Sequence, residues 1–150
     1  MGIRDRLNTK PIISGLGHFF KCKKVFSSLK DGEIIETVYN KLAIRRGIKN
    51  ISQIQMPLVI PTVDITKSKE YVFTNNIPQN VEDTSQYITD ITIGKAVRAS
   101  SSFPAVFNPC LMGEHAFMDG GALDNIPVNE VKKQGVDKVI AVKFDADPVD

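Results

Sequence analysis

The run from Ile93 to Phe144 constrains this chain most, because it contains the tripeptide Asp119-Gly120-Gly121 directly after an apolar stretch. A carboxylate that follows a predicted strand and precedes two glycines is expected in a tight, exposed turn. Such a turn can present a catalytic acid or base at the rim of a sheet. The alternative is a purely structural turn, in which Asp119 hydrogen-bonds its own backbone and the glycines supply positive φ.

The predicted secondary structure alternates between helices and apolar strands, which is typical of α/β folds with a largely parallel sheet. The predicted helices are residues 12–20, 34–46, 93–101 and 127–135. The predicted strands are residues 56–63, 70–74, 111–112, 116–118 and 138–142, the last of them buried. Residues 75–89 are polar and are expected to form a surface loop. We therefore predict a three-layer α/β/α domain with a mostly parallel sheet.

Local signals refine these elements. Pro61 removes a backbone donor from its strand, so we expect a bulge or a locally unpaired edge there. Asp90 or Thr92 is the expected N-cap of the helix that begins near Ile93. The helix that Pro127 opens is expected to bury Val128 and Val131.

The charge of the chain is uneven along its length. The net charge is +2, but residues 1–50 carry eleven Lys/Arg against four Asp/Glu, and residues 101–150 have a balance of −4. The segment 12–20, which Lys10, Lys21, Lys23 and Lys24 flank, could be a helix that caps the sheet or a lid in peripheral contact with lipid. Nucleic-acid binding is not favoured, because no recognition helix or aromatic-lined strand face accompanies the charge. No apolar run near Met1 suits a signal peptide, so a cytoplasmic location is expected.

The cysteines and histidines offer weak signals for a metal. Cys22 and Cys110 are expected to be reduced, because a secreted disulfide framework would usually need more cysteines. With His18 and His115 they make four potential zinc ligands, but intervals of four and five residues are loose spacing for such a site. We expect separate side chains, no metal and no cofactor. Neither histidine stands in a context that suggests a general base.

Several blocks of the sequence resemble the patatin-like phospholipase family. Phe117–Pro127, which contains the Asp-Gly-Gly tripeptide and a trailing Asn125-Ile126-Pro127, is similar to the Asp-Gly-Gly/Ala block of that family. Ala99–Pro109 is similar to the block that precedes it. Looser likenesses occur at Gly135–Val142 and Leu58–Thr74. The resemblance covers most of residues 29–145.

The resemblance implies a lipid acyl hydrolase that works through a Ser–Asp dyad on a phospholipid or another glycerolipid. Asp119 would be the base, and Gly120 and Gly121 would keep the turn open around it. The serine would stand on a Gly-x-Ser-x-Gly elbow, and a Gly-rich loop would supply the oxyanion hole. Four further residues are expected at the site wall, the serines by bonding helix-end carbonyls. They are Ser100, Ser101, Ser102 and Asn125.

The sequence departs from the family pattern at the nucleophile. It contains no Gly-x-Ser-x-Gly, and Ser14 in Ile12-Ile13-Ser14-Gly15-Leu16 is the nearest approach. We therefore expect residues 1–150 to be the C-terminal portion of a patatin-like domain, incomplete at its N-terminal side and inactive alone. The alternative is a non-catalytic fragment or relic that binds a complementing N-terminal half or self-associates.

Overall fold

The computed structural model describes residues 31–143, so the predicted helix 12–20, together with His18 and Cys22, lies outside the described residues. The described helices are α1 (Glu33–Arg45), α2 (Ile93–Ser100) and α3 (Val128–Lys132). The strands are β1 (Val59–Asp64), β2 (Lys69–Thr74), β3 (Tyr87–Ile88), β4 (Cys110–Met112) and β5 (His115–Asp119). Short 3-10 turns occupy Ile51–Gln53 and Gly120–Ala122.

The five strands form one sheet in the order β3-β2-β1-β5-β4. Only β2 and β3 pair in parallel, whereas β1–β2, β1–β5 and β4–β5 are antiparallel. The prediction of a mostly parallel sheet is therefore wrong, and the sheet is mixed. The connections β1–β2 and β4–β5 are too short to contain a crossover helix, so each chain segment has to turn straight back. The combination of sheet and helices agrees with an α/β fold, and the three-layer arrangement stays a prediction.

Two sequence predictions about strands are corrected. Residues 75–89 are not all loop, because Tyr87 and Ile88 form β3 opposite Val72 and Phe73. The predicted strand 138–142 is absent from the described residues, where Ile140 is 92% exposed. A two-residue strand is too short to show alternation in sequence. The apolar run at 138–142 has β propensity, but none of the five strands pairs with it.

The core lies between α2 and one face of the sheet. Ala96 and Ala99 of α2 are completely buried, in one cluster with Phe73 of β2 and Phe117 of β5. The two rings meet edge to face, with centroids 5.3 Å apart. The small side chains of α2 allow this helix to approach the sheet closely, so the end of α2 is fixed relative to β5.

Helices α1 and α2 pack against each other at Gly94. A Cβ on Gly94 would lie 2.1 Å from the carbonyl oxygen of Glu36, and the Gly94 N–H donates to Asn40 Oδ1 over 2.9 Å. Thr92 is the N-cap of α2, because its Oγ1 accepts from the Lys95 N–H. No helix formed by residues 31–143 is both long and apolar enough to span a membrane.

The remaining local predictions have mixed outcomes. Pro61 stays in register opposite Val72 without a bulge, and the pairing of β1 with β5 begins only at Thr62, so the edge beside Pro61 is locally unpaired as predicted. The buried residue of α3 is Glu130, whereas Val128 and Val131 are half-buried. The Glu130 carboxylate tolerates burial because it accepts a hydrogen bond from a tyrosine hydroxyl and pairs with a lysine.

Candidate active site

Asp119 lies at the end of β5, opposite Thr62 of β1. Its backbone N–H donates to the carbonyl oxygen of Ser102 over 3.1 Å, and Thr62 Oγ1 donates to the carbonyl oxygen of Met118 over 2.7 Å. The carboxylate oxygen Oδ1 of Asp119 accepts from the Gly121 N–H over 2.9 Å. No donor among residues 31–143 bonds the other oxygen, Oδ2. The half-buried carboxylate is therefore held through one oxygen and leaves the other available.

The two glycines after Asp119 have different tasks. Gly120 is buried, and a Cβ there would lie 2.5 Å from the carbonyl oxygen of Pro61, so the turn crosses β1 in direct backbone contact. Gly121 is exposed, and a Cβ there would lie 3.2 Å from both Asp119 Oδ1 and Asn125 Oδ1. The lack of a side chain at 121 keeps the space between the carboxylate and the amide of Asn125 open.

The three serines of the predicted site wall donate their hydroxyl protons to carbonyl groups. Ser101 Oγ bonds Val97 O over 2.6 Å and Ser102 Oγ bonds Arg98 O over 2.8 Å, so the predicted helix-end bonds are confirmed for these two. Ser100 Oγ instead bonds Pro61 O over 2.7 Å. Ser100 thereby satisfies the Pro61 carbonyl just beyond the β1–β5 ladder. Ser102 contacts Asp119 only through the backbone bond described above.

Two cavities adjoin the segment that follows Asp119. An apolar cavity of about 210 Å³ is bounded by residues 125–128, by Val131 of α3 and by residues 139–142. A polar cavity of about 630 Å³ is lined by Glu70, Asp124, Asn129, Glu130, Lys132 and Lys133. In the polar cavity, burial and the nearby carboxylates of Glu130 and Asp124 raise the pKa of Glu70. The sequence indicated neither cavity.

Sequence reasoning also missed a pair formed by Asp64 and His115. Their Oδ2 and Nδ1 atoms are 2.7 Å apart, and Asp64 is fully buried. His115 begins β5 and Asp119 ends it, so four residues, or about 13 Å of strand, separate them. The imidazole therefore does not approach the Asp119 carboxylate. The partners are 51 residues apart, so no local pattern links them. The only sequence signal is that each residue stands at a strand end.

The described half of the zinc alternative shows no metal geometry. Cys110 is buried in the core, and burial raises the pKa of its thiol. His115 Nδ1 is engaged by Asp64. Within residues 31–143, no three His, Cys, Asp or Glu side chains are grouped so that they could hold a metal ion.

Several curated proteins are similar to this chain. Lysophospholipase NTE1 of Candida albicans is 49% identical over 51 residues, which is 31% of this chain and 3% of that protein. Lysophospholipase NTE1 of Debaryomyces hansenii is 46% identical over 46 residues, with the same coverage of both chains. Probable lipid hydrolase 463L of Invertebrate iridescent virus 6 is 23% identical over 133 residues, 84% of this chain and 41% of that protein. The chain thus spans less than half the length of each of these relatives.

A family model also matches the chain. The model, described as patatin-like phospholipase, matches residues 4–132, which include Asp119 and the whole turn that follows β5. Because the match covers most of the 150 residues, the chain belongs to the patatin-like phospholipase family, a family of lipid ester hydrolases.

Proposed function

We propose that this chain supplies the general base of a serine lipid acyl hydrolase, and that Asp119 is that base. The observation that carries the proposal is the carboxylate at the end of β5, which one N–H holds through Oδ1 while Oδ2 has no donor among residues 31–143. Membership of the patatin-like family supports the choice of reaction. A carboxylate fixed in this way can accept a proton without first breaking a hydrogen bond at the accepting oxygen.

The proposed reaction proceeds by acyl transfer. Asp119 Oδ2 takes the hydroxyl proton of a serine while the serine oxygen bonds to the carbonyl carbon of a fatty acyl ester. The tetrahedral intermediate collapses, the alcohol leaves with the proton from Asp119, and an acyl-serine remains. Water then attacks the acyl-serine with Asp119 again as the base, which releases the fatty acid and restores the serine.

The substrate class we propose is a phospholipid or another glycerolipid. The names of the similar proteins, lysophospholipase and lipid hydrolase, favour this class. The apolar cavity beside Asn125 also favours it, because its lining from α3 and residues 139–142 would accept part of an acyl chain. This apolar surface comes from one short segment that follows the Asp119 turn and contains Ile126, Val128 and Val131.

We further propose that the nucleophile comes from outside these 150 residues. The sequence has no Gly-x-Ser-x-Gly, and Ser100, Ser101 and Ser102 all donate their hydroxyls to backbone carbonyls. The Gly-rich loop that would form the oxyanion hole is absent from the sequence as well. A base without a nucleophile and oxyanion donors does not support acyl transfer, so these residues alone should be inactive.

Complementation tests this function. The chain alone is expected to give no turnover of a p-nitrophenyl fatty ester. Co-expression with a patatin-like N-terminal fragment that carries the Gly-rich loop and the elbow should restore turnover. In that complex Asp119→Asn should lower kcat by about 10²–10⁴-fold, the range for loss of a general base. Asp137→Asn, a matched change at an exposed carboxylate, should leave kcat unchanged.

Two results would count against Asp119 as the base. One is turnover by the chain alone that survives Asp119→Ala, and the other is a complemented enzyme that Asp119→Asn does not slow. Failure of the fragment to bind would instead favour the second candidate, a non-catalytic chain that self-associates or binds another partner. The exposed apolar side chains Leu111, Ile140 and Val142 favour that candidate.

A further inference from the structure

One face of α1 is apolar and open to solvent. Ile34, Val38 and Leu42 follow one another at intervals of four residues, which places them in a row along the helix. They are 42%, 47% and 51% exposed. The opposite side of α1 is the one that packs on α2 through the close contact at Gly94. None of residues 31–143 covers this row.

The same face carries positive charge. Lys41 and Arg45 lie three and seven residues after Val38, on the same side of the helix, and both are exposed. No ion pair among residues 31–143 involves either of them. Glu36 is turned away from this face, because it pairs with Arg98 of α2 over 3.0 Å. The stripe therefore has cations beside it and no acidic side chain along its second half.

We propose that this face of α1 docks on the surface of a bilayer that contains anionic lipid. An apolar row flanked by cations suits that surface, because the apolar side chains enter the acyl boundary while the cations meet lipid phosphates. Charge argues against the N-terminal segment of the chain as the occupant. Residues 1–30 hold seven Lys/Arg and one acidic residue, so their net charge does not complement that of Lys41 and Arg45.

Helix α1 is connected to the Asp119 site through neighbouring elements of the fold. The Asn108 side chain donates to the Asp31 carboxylate just before α1, and Glu36 pairs with Arg98 near the end of α2. Directly after α2, the Ser102 carbonyl accepts from the Asp119 N–H. The face and the site are therefore joined through packed elements. Lipid docking goes beyond the proposed function, because it needs no serine and no turnover.

Tryptophan fluorescence of the full chain tests the proposal, since the natural sequence contains no tryptophan. Val38→Trp places a probe in the apolar row, and Leu111→Trp places a control at a site that is 69% exposed on β4. The vesicles contain either phosphatidylcholine alone or phosphatidylcholine with about 30 mol% phosphatidylglycerol, an anionic fraction chosen to give a negative surface. We expect a blue shift of the residue-38 probe with the anionic vesicles only, and no shift of the control.

Vesicle co-sedimentation then separates the apolar contribution to lipid binding from the electrostatic one. Leu42→Asp should weaken partitioning by about tenfold or more, because it removes a large apolar side chain from the interface. Arg45→Glu should weaken it by about fivefold or more at low salt, and by less at high salt. Leu111→Asp and Lys138→Glu are the matched controls, and neither should change the bound fraction.

The outcomes decide between the occupants. A residue-38 probe that is exposed without lipid, shifts with anionic vesicles and loses binding with Leu42→Asp supports the proposal. A probe whose emission is already blue-shifted in buffer would mean that residues 1–30 or a second copy covers the face, which overturns it. A probe that stays exposed in the presence of anionic vesicles also overturns it. None of these readings depends on whether Asp119 is a catalytic base.

Discussion

At Gly120 the turn after β5 touches the backbone of β1 so closely that a side chain has no room. The nearest atoms to a Cβ there belong to the backbone of Pro61 and Thr62, at 2.5–3.0 Å, and backbone atoms cannot rotate away. At Gly121 the nearest atoms are side-chain oxygens of Asp119 and Asn125, at 3.2 Å, which can shift by a few tenths of an ångström. The two adjacent glycines therefore differ in whether the structure can accommodate a side chain at that position.

We expect Gly120→Ala to lower the free energy of unfolding by about 1–3 kcal/mol or more, the range for overpacking a site that cannot relax. Gly121→Ala should change it by no more than about 0.5 kcal/mol, because a small side-chain movement absorbs the methyl group. Urea unfolding of both variants beside the natural chain measures the difference. Equal losses at the two positions would contradict this account of the turn.

Single residues also mark the limit of what could be predicted. The turn at Asp119 was predictable because strand, carboxylate and glycines are adjacent in sequence. The pair Asp64–His115 was not, because it depends on the register that places Asp64 opposite Phe117. Asn125 was assigned to the site by resemblance, and its position beside Asp119 follows from the path of the turn around Gly121.

At the level of elements, Asp64 connects two hairpins. Its Oδ1 accepts from Thr66 in the β1–β2 turn and from the Ala116 N–H in β5, while Oδ2 meets His115. Lys67 of the same turn pairs with Glu114 in the β4–β5 turn over 2.9 Å. These bonds hold the two turns together at the end of the sheet opposite to Asp119. The pair therefore serves the architecture that positions β5.

This connection should make stability depend on pH. Burial alone would raise the pKa of Asp64, but hydrogen bonds from His115, Thr66 and Ala116 outweigh it and lower the pKa to about 2 from 3.8. Because the folded-state pKa is the lower one, the carboxylate stabilises the fold above about pH 4. That stabilisation, about 2 kcal/mol, is lost as pH falls through about 4 to about 2.

Urea unfolding between pH 7 and pH 2.5 measures this dependence. Asp64→Asn should be less stable than the natural chain at pH 7, and the difference should shrink by about 1.5 kcal/mol toward pH 2.5. Asp137→Asn, at an exposed position, should keep a constant difference. A difference for Asp64→Asn that does not change with pH would show that the hydrogen bonds do not favour the ionised carboxylate.

Helix positions were more predictable than their environments. The bounds of α1 and α2 agree with the sequence to within one residue at each end, because caps and acidic first turns are local signals. The prediction of a helix at 34–46 said nothing about what would cover its apolar row. Glu130 is buried in α3 because Tyr87 of β3 provides a partner, and that contact was not visible in the sequence.

Across the whole molecule, strand direction was the main error. Alternation of helices and strands favoured a parallel sheet, but three of the four pairings are antiparallel, two of them because a short connection turns the chain straight back. The arrangement of the sheet also explains why residues 138–142 do not form the predicted strand. This apolar run has no strand beside it among residues 31–143, and two of its side chains remain open: Ile140 is 92% and Val142 72% exposed.

An exposed apolar run with high β propensity is a site for association between chains. We expect the average mass of the chain in size-exclusion light scattering to rise with concentration. Ile140→Lys combined with Val142→Lys should lower that mass at every concentration, because charge on an edge opposes pairing between chains. Met56→Lys, at a side chain that is equally exposed (72%), is the control and should not lower it. Association that persists in the double variant would place the contact elsewhere, and a mass independent of concentration would remove self-association as an explanation of the open run.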